Sequence, residues 1–279
     1  MVKVDDAMSI NIITDKEFSQ FQRFIYDAAG ISLSSAKKAM VGGRLAKRLK
    51  QYQLDNYGEY FHLLTSGEAP AELQIAVDLL TTNETYFFRE SKHFDLLLNL
   101  ATAARDNPGQ LRTPFRVWSA ASSTGEEAYS IAMVLADRLG SDRWEIVGSD
   151  ISTRVLQQAK LGHYSVERTK HIPPAYLKKF CLKGVDQEAG TILVDRSLRS
   201  RVQFMQINLN EKLPKIGMFD VIFLRNVMIY FDGDTKRQVV ARILSLLKPG
   251  GYFFIGHSET LNDISDAVQS LAPSIYRKK

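Results

Sequence analysis

A doubly wound α/β sheet preceded by an all-α N-terminal domain is the fold class this sequence predicts, on three observations. Thr14 to Leu80 carries only helix-period apolar spacing, and from Phe115 onward short apolar runs alternate with amphipathic segments. Residues 162–201 interrupt that alternation with an excursion too long for a crossover loop, which reads as a small inserted β-subdomain. The expected bounds are 10–80 for the helical domain, 81–110 for a linker, and 111–279 for the sheet domain with its insert at about 162–201.

In the helical domain Phe18, Phe21, Phe24 and Ile25 lie one turn apart. Leu45 and Leu49 follow, then Tyr60, Leu63 and Leu64, with Gly30, Gly42, Gly43, Gly67 and Pro70 as punctuation. The pattern changes after Asn107, Pro108 and Gly109. Strands are predicted over Phe115 to Ser119, Ile146 to Ser149, Val202 to Ile207, Phe219 to Leu224 and Tyr252 to Ile255. Lys248 to Gly251, KPGG, is read as the tight turn into the last of these, and Ser274 to Arg277 as an antiparallel edge strand. Within the excursion, Pro173 and Pro174 precede the strand-like Thr191 to Val194.

Composition excludes several classes. A chain of 279 residues with 45% apolar and 24% charged residues is that of a soluble globular protein of about two domains. The start, MVKVDDAMSI, has acids where a signal peptide needs bases, and no apolar run approaches a membrane span, so a cytoplasmic protein without membrane insertion is expected. Cys181 is the only cysteine, which rules out an internal disulfide. His62, His93, His163, His171 and His257 have no paired-ligand spacing, so no metal site is expected. The net charge of +5 is locally concentrated: Lys37, Lys38, Arg44, Lys47, Arg48 and Lys50 fall in a stretch without an acid. That stretch fits either a solvated helix face or a docking surface for an acidic partner.

The chemistry is written between Phe115 and Ala132, FRVWSAASSTGEEAYSIA. A strand, a small-residue turn and a helix start form the nucleotide-binding βα unit, whose helix N-terminus ordinarily receives phosphate. Glu126 and Glu127 stand there instead, which disfavours a pyrophosphate and suits a cationic nucleoside such as S-adenosylmethionine. Thr124-x-x-Glu127 also spells a capping box. The second strand ends in Asp150, placed where a carboxylate receives ribose hydroxyls, although it is equally suited to cap the helix begun near Ser152.

A family resemblance covers nearly the whole chain. TNETYFFR over residues 82–89, WSAASSTGEEAYSIA from Trp118, GSDIS at Gly148, FLRNVMIYF from Phe223, and LKPGG with IGHSE ending at Glu259 resemble the chemotaxis receptor methyltransferases, CheR. The resemblance implies a Rossmann-like methyltransferase domain and methyl transfer from S-adenosylmethionine to glutamate side chains of methyl-accepting chemotaxis receptors, with S-adenosylhomocysteine as product. It further implies a cofactor site of Asn83, Thr85, Arg89, Glu127, Asp150, Asn208, Leu209, Arg225 and Asn226, with Arg89 and Tyr230 acting on the transfer. Helix capping would also account for Asn83 and Thr85, and a core or interface role for Tyr230. The implied partners are receptor helices bearing glutamates, and in some members a receptor C-terminal peptide on the β-subdomain, decided around Gly184 to Thr191. A monomer recruited to receptor arrays is expected. A receptor-array protein that binds the cofactor without catalysis is one rival. A nucleic-acid methyltransferase is the other, but Leu224-Arg225-Asn226-Val227 lacks the Asp/Asn-Pro-Pro-Tyr/Phe string of base-amino methylating enzymes, so no nucleic acid is expected.

Overall fold

The structure is a computed structural model that describes residues 12–106, 113–140 and 144–279. The first ten residues and the Asn107-Pro108-Gly109 boundary lie outside the described residues. The chain forms two units, one ending at Thr82 and the other beginning at Asn83.

The first unit contains α1 (Asp15–Ala29), α2 (Lys38–Tyr52), α3 (Tyr57–Ser66) and α4 (Pro70–Leu80). Thr14 and Glu17 form a reciprocal capping box at the start of α1, and Gly30, at φ 71°, ends it in the left-handed conformation. Phe18, Phe21 and Ile25 are buried on its inner face, as are Val41, Leu45 and Leu49 of α2. Gly42 and Gly43, read as breaks, lie inside α2. A Cβ on Gly42 would meet Ile13 Cγ2 at 3.1 Å, so its smallness serves packing rather than chain reversal.

The second unit begins with α5 (Lys92–Asp106), β1 (Phe115–Ser119), α6 (Glu126–Leu139), β2 (Trp144–Asp150) and α7 (Thr153–Leu161). The insert follows, with β3 (His163–Ser165), α8 (Pro174–Phe180), β4 (Cys181–Lys183), β5 (Thr191–Val194) and α9 (Arg196–Arg199). The chain then returns through β6 (Val202–Gln206), β7 (Phe219–Leu224), α10 (Gly233–Ser245), β8 (Leu247–Ile255), β9 (Val268–Ala272) and β10 (Ile275–Lys278). The large sheet has the order β6-β2-β1-β7-β8-β10-β9, and the insert forms a separate antiparallel sheet, β3-β5-β4. The first five strands are parallel, with both faces covered, which is why β7 reads as an unbroken apolar run, FDVIFL.

Two readings of the sheet change. KPGG lies within β8, where the register with β7 shifts between Phe219 and Val221, so it forms an irregularity in a longer strand rather than a turn before it. The final strand is antiparallel, but it lies between β8 and β9 and is not the edge. β9 is the edge.

Candidate active site

Strand order reverses at β1, whose neighbours β2 and β7 are reached in opposite directions, and ligands of doubly wound sheets bind outside the strand ends at such a point. Glu127 (start of α6), Asp150 (end of β2) and Arg225 (just past β7) converge there.

The turn after β1 is shaped by close packing. Gly125 has φ 95°, and a Cβ on it would lie 2.9 Å from Ala159 Cβ and 3.0 Å from Tyr164 Oη, so only glycine fits. Tyr164, from the insert, donates to the Thr124 carbonyl at 2.7 Å. The two glutamates then take different paths. Glu126 is fully buried, accepts from Thr124 Oγ1 at 2.6 Å and pairs with Arg168 of the insert. Burial pushes its carboxyl above the usual range against the pull of Thr124 and Arg168. Glu127 stays half-buried, with Oε1 accepting from Ser119 Oγ at 2.7 Å and Oε2 from Arg225 Nη1 at 2.9 Å. The expectation that both carboxylates face a ligand is therefore halved, and the capping box is not formed: α6 starts at Gly125 with no side-chain cap.

Asp150 braces two turns. Its Oδ2 accepts from the Ser123 amide at 2.9 Å and its Oδ1 from the Ser152 amide at 3.0 Å, while Ser152 itself caps α7. Asn83 and Thr85 lie in irregular chain between α4 and α5 and cap neither helix. The Asn83 carbonyl accepts from Ser123 Oγ at 2.8 Å and that of Thr85 from Arg168 Nη2 at 3.1 Å, which lays the linker over the turn. The Asn208 amide is engaged in its own loop, Nδ2 donating to Glu211 Oε1 at 2.9 Å and Oδ1 accepting from the Asn210 amide at 3.0 Å. Leu209 is buried, and its carbonyl accepts from Arg242.

The two arginines differ sharply. Arg225 is buried between carboxylates, with Nη1 on Glu127 and Nη2 3.0 Å from Glu90 Oε2, and also donates to the Arg89 carbonyl. Its charge is committed to holding Glu127 and the linker in place. Arg89 reaches only the Glu84 carbonyl, at 3.2 Å, and the Tyr86 ring, and no carboxylate lies on it among the described residues. Its neighbours Phe88 and Glu90 both have positive φ, 53° and 58°, an uncommon conformation that clusters at functional sites. Tyr230 is half-buried in a short 3₁₀ turn, Met228–Tyr230, beyond Asn226, which has φ 56°.

Glu90 and Glu259 were not singled out from the sequence. Glu90 Oε1 accepts from Asn226 Nδ2 at 3.4 Å and from the His257 amide at 3.2 Å, so one carboxylate joins the linker to the loops after β7 and β8. Burial works most strongly on its pKa and raises it, but the Arg225 charge, the hydrogen bond from Arg225 and the His257 amide together outweigh burial and hold it low. The signal was available: Glu90 directly follows TNETYFFR, and Glu259 ends the IGHSE string. His93 and His257, distant in sequence, also meet at Glu90, with nitrogens 3.6 and 3.7 Å from Oε2. Their convergence places one carboxylate oxygen and two imidazole nitrogens within 4.8 Å of one another, which spacing alone did not suggest.

The basic stretch is less open than its composition suggests. Arg44 donates to the carbonyls of Leu79, Leu80 and Thr81 at the end of α4, and Arg48 pairs with buried Glu72, Nε to Oε1 at 2.6 Å. Lys38 is half-buried and bonds Asp15, whereas Lys37, Lys47 and Lys50 are exposed.

Residues 83–276 match the CheR methyltransferase SAM-binding domain, and residues 16–81 match the CheR methyltransferase all-alpha domain. The chain belongs to the CheR methyltransferase family. It is 42% identical over 267 residues to a chemotaxis protein methyltransferase of Escherichia coli, covering 95% of this chain and 91% of that one. It is 44% identical over 266 residues to chemotaxis protein methyltransferase 2 of Pseudomonas aeruginosa, covering 94% and 93%. As in that family, the cofactor is S-adenosylmethionine and the activity is methyl transfer in chemotaxis. The residues fit the cofactor: the half-buried Glu127 carboxylate suits an ammonium, and no phosphate cradle is needed at a turn that carries fixed negative charge. No helix among the described residues is long and apolar enough to cross a membrane.

Proposed function

We propose that this CheR chain methylates glutamate side chains of methyl-accepting chemotaxis receptors, forming glutamyl methyl esters, as a cytoplasmic enzyme that works at receptor arrays. The observation that carries the reading is the contrast between the two arginines. Arg225 is already paired through Nη1 and Nη2 with Glu127 and Glu90, while Arg89 carries no carboxylate among the described residues and is the cation left to receive one from the acceptor.

Glu127 then holds the cofactor ammonium and Asp150 the ribose hydroxyls. Asn208 with Leu209 borders the adenine, and Asn83, Thr85 and Asn226 line the remainder. Bound S-adenosylmethionine supplies an electrophilic methyl group. The acceptor glutamate, with an ordinary pKa of about 4.3, is already ionised at neutral pH and needs no general base. Arg89 aligns it and Tyr230 lines the transfer pocket, so rate comes from orientation and exclusion of water, effects that supply roughly 7–11 kcal/mol in well-oriented cases. Lys37, Lys47 and Lys50, with Lys38 beside them, form the basic face offered to acidic receptor helices, whereas Arg44 and Arg48 serve the fold.

The test is transfer of labelled methyl to chemoreceptor-rich membranes, followed by mild alkali. Alkali-labile label on receptor, released as methanol and lost in Glu127→Ala, is the expected result. Alkali-stable label, or label on nucleic acid instead of receptor, overturns the reading.

A further inference from the structure

The GHSE string supplies a residue to which no role has yet been given. Glu259 Oε2 accepts from the Asn226 amide at 2.9 Å and the Gly256 amide at 2.7 Å, and Oε1 accepts from the Ile229 amide at 3.3 Å. The Met228 amide points to the same carboxylate. One side chain thus collects backbone donors from the loop after β7 and the loop after β8.

We propose that Glu259 is a positioning residue for methyl transfer, which clamps these two loops together and so holds Asn226 beside the cofactor and Tyr230 where the acceptor is aligned. This rests on the assignment of Asn226 and Tyr230 to the site. Three further observations support it. Asn226 has φ 56°, a conformation that persists in a non-glycine residue when its surroundings hold it. Gly256 admits no side chain, since a Cβ would meet Asn226 Nδ2 at 2.4 Å and its backbone nitrogen at 2.9 Å, so the two loops are pressed together where the carboxylate ties them. Burial drives the Glu259 carboxyl above its ordinary range despite the amides that favour its charge, a cost that an exposed loop stitch would not carry. Tyr230 is reached through the same turn, its amide donating to the Val227 carbonyl at 3.1 Å.

The pair Glu259→Ala and Glu259→Gln tests the clamp. Glutamine places its one carbonyl oxygen where Oε2 receives Asn226 and Gly256, the two shorter bonds, and turns its NH₂ toward the Ile229 amide, giving up the acceptor there. Alanine removes every acceptor. The expected result for Glu259→Ala is a fall in kcat of about 30- to 100-fold, the scale of a misplaced catalytic constellation, with a clearly smaller loss, of no more than about tenfold, in affinity for S-adenosylhomocysteine, because Asn226 also borders the cofactor. Glu259→Gln, which keeps the two shorter bonds, is expected to restore part of the loss. In parallel, hydrogen exchange over residues 225–230 and at Gly256 speeds up in Glu259→Ala and returns toward wild type in Glu259→Gln.

Unchanged turnover in Glu259→Ala overturns the proposal. So does lost turnover with unchanged exchange, which would make Glu259 a direct participant, or a parallel loss of cofactor affinity, which would make it a support of the cofactor site. If wild type places no label on receptor glutamates, the proposed function falls, and the exchange measurements still decide whether the clamp exists.

Discussion

Glu127→Gln separates the charge of Glu127 from its hydrogen bonds. In the wild type Oε1 accepts from Ser119 Oγ and Oε2 from Arg225 Nη1. A glutamine flipped to put its carbonyl on Arg225 and its NH₂ on Ser119 Oγ, which can accept, keeps both contacts at the same volume. Arg225 also retains Glu90 at 3.0 Å, so the buried guanidinium keeps a counter-charge and stability is expected to fall by no more than about 1 kcal/mol. The cofactor ammonium has no such substitute. A hydrogen bond to a charged group is worth roughly 1.5–3 kcal/mol, so affinity for S-adenosylhomocysteine should drop about 10- to 150-fold. Calorimetric titration with two ligands makes the assay selective, because 5′-methylthioadenosine has the nucleoside but no ammonium and should bind wild type and variant alike. Equal losses for both ligands would refute the reasoning by showing that Glu127 acts through the shape of the turn. An unchanged S-adenosylhomocysteine affinity would remove the ammonium from Glu127 altogether.

Four further outcomes are expected. Asp150→Asn leaves one acceptor oxygen for the Ser123 and Ser152 amides, so it should cost about 1–3 kcal/mol of stability in thermal unfolding and weaken both nucleoside ligands together. Arg48→Ala strands Glu72, whose side chain is 1% exposed, and is expected to destabilise by about 3 kcal/mol, the low end for a broken buried pair because the Tyr52 and Tyr60 hydroxyls still reach the carboxylate; Lys37, Lys47 and Lys50 changed to Gln should leave the melting temperature alone and reduce the salt sensitivity of receptor methylation. Glu126 has a carboxyl raised by folding, so the stability of wild type relative to Glu126→Gln should fall as pH rises from the unfolded carboxylate value of about 4.3 through the raised native value, the other titrating groups being common to both proteins; parallel pH curves for the two in denaturant unfolding would refute it.

Most of the frame was legible because parallel strands buried on both faces announce themselves as apolar runs, as Phe219–Leu224 does, and because the insert broke a regular alternation. Val268–Ala272 was invisible for the opposite reason: only Val268 of that strand is buried, which leaves almost no apolar signal. KPGG has turn composition, yet Gly250 at φ 73° lies within β8 and its carbonyl accepts from Arg277. At the site, motif strings located the right segments but not the partners. Nothing local distinguishes Glu126 from Glu127, since their difference comes from Arg168 in the insert and Arg225 after β7. The same holds for Arg44 and Arg48, whose counterparts lie in α4.

The place of β10 in the sheet has a consequence for how the site comes into being. Because residues 275–278 pair with both β8 and β9, a chain that has emerged only as far as Leu261 presents β8 as a bare edge, ready to pair with another molecule. Ser274, at the head of that strand, is also the hydrogen-bond partner of His93, which lies beside Glu90. A segment near the start of the catalytic unit is thus tied to a strand made about 180 residues later, so the Ser274 bond that fixes His93 beside Glu90 can form only once that strand has been translated.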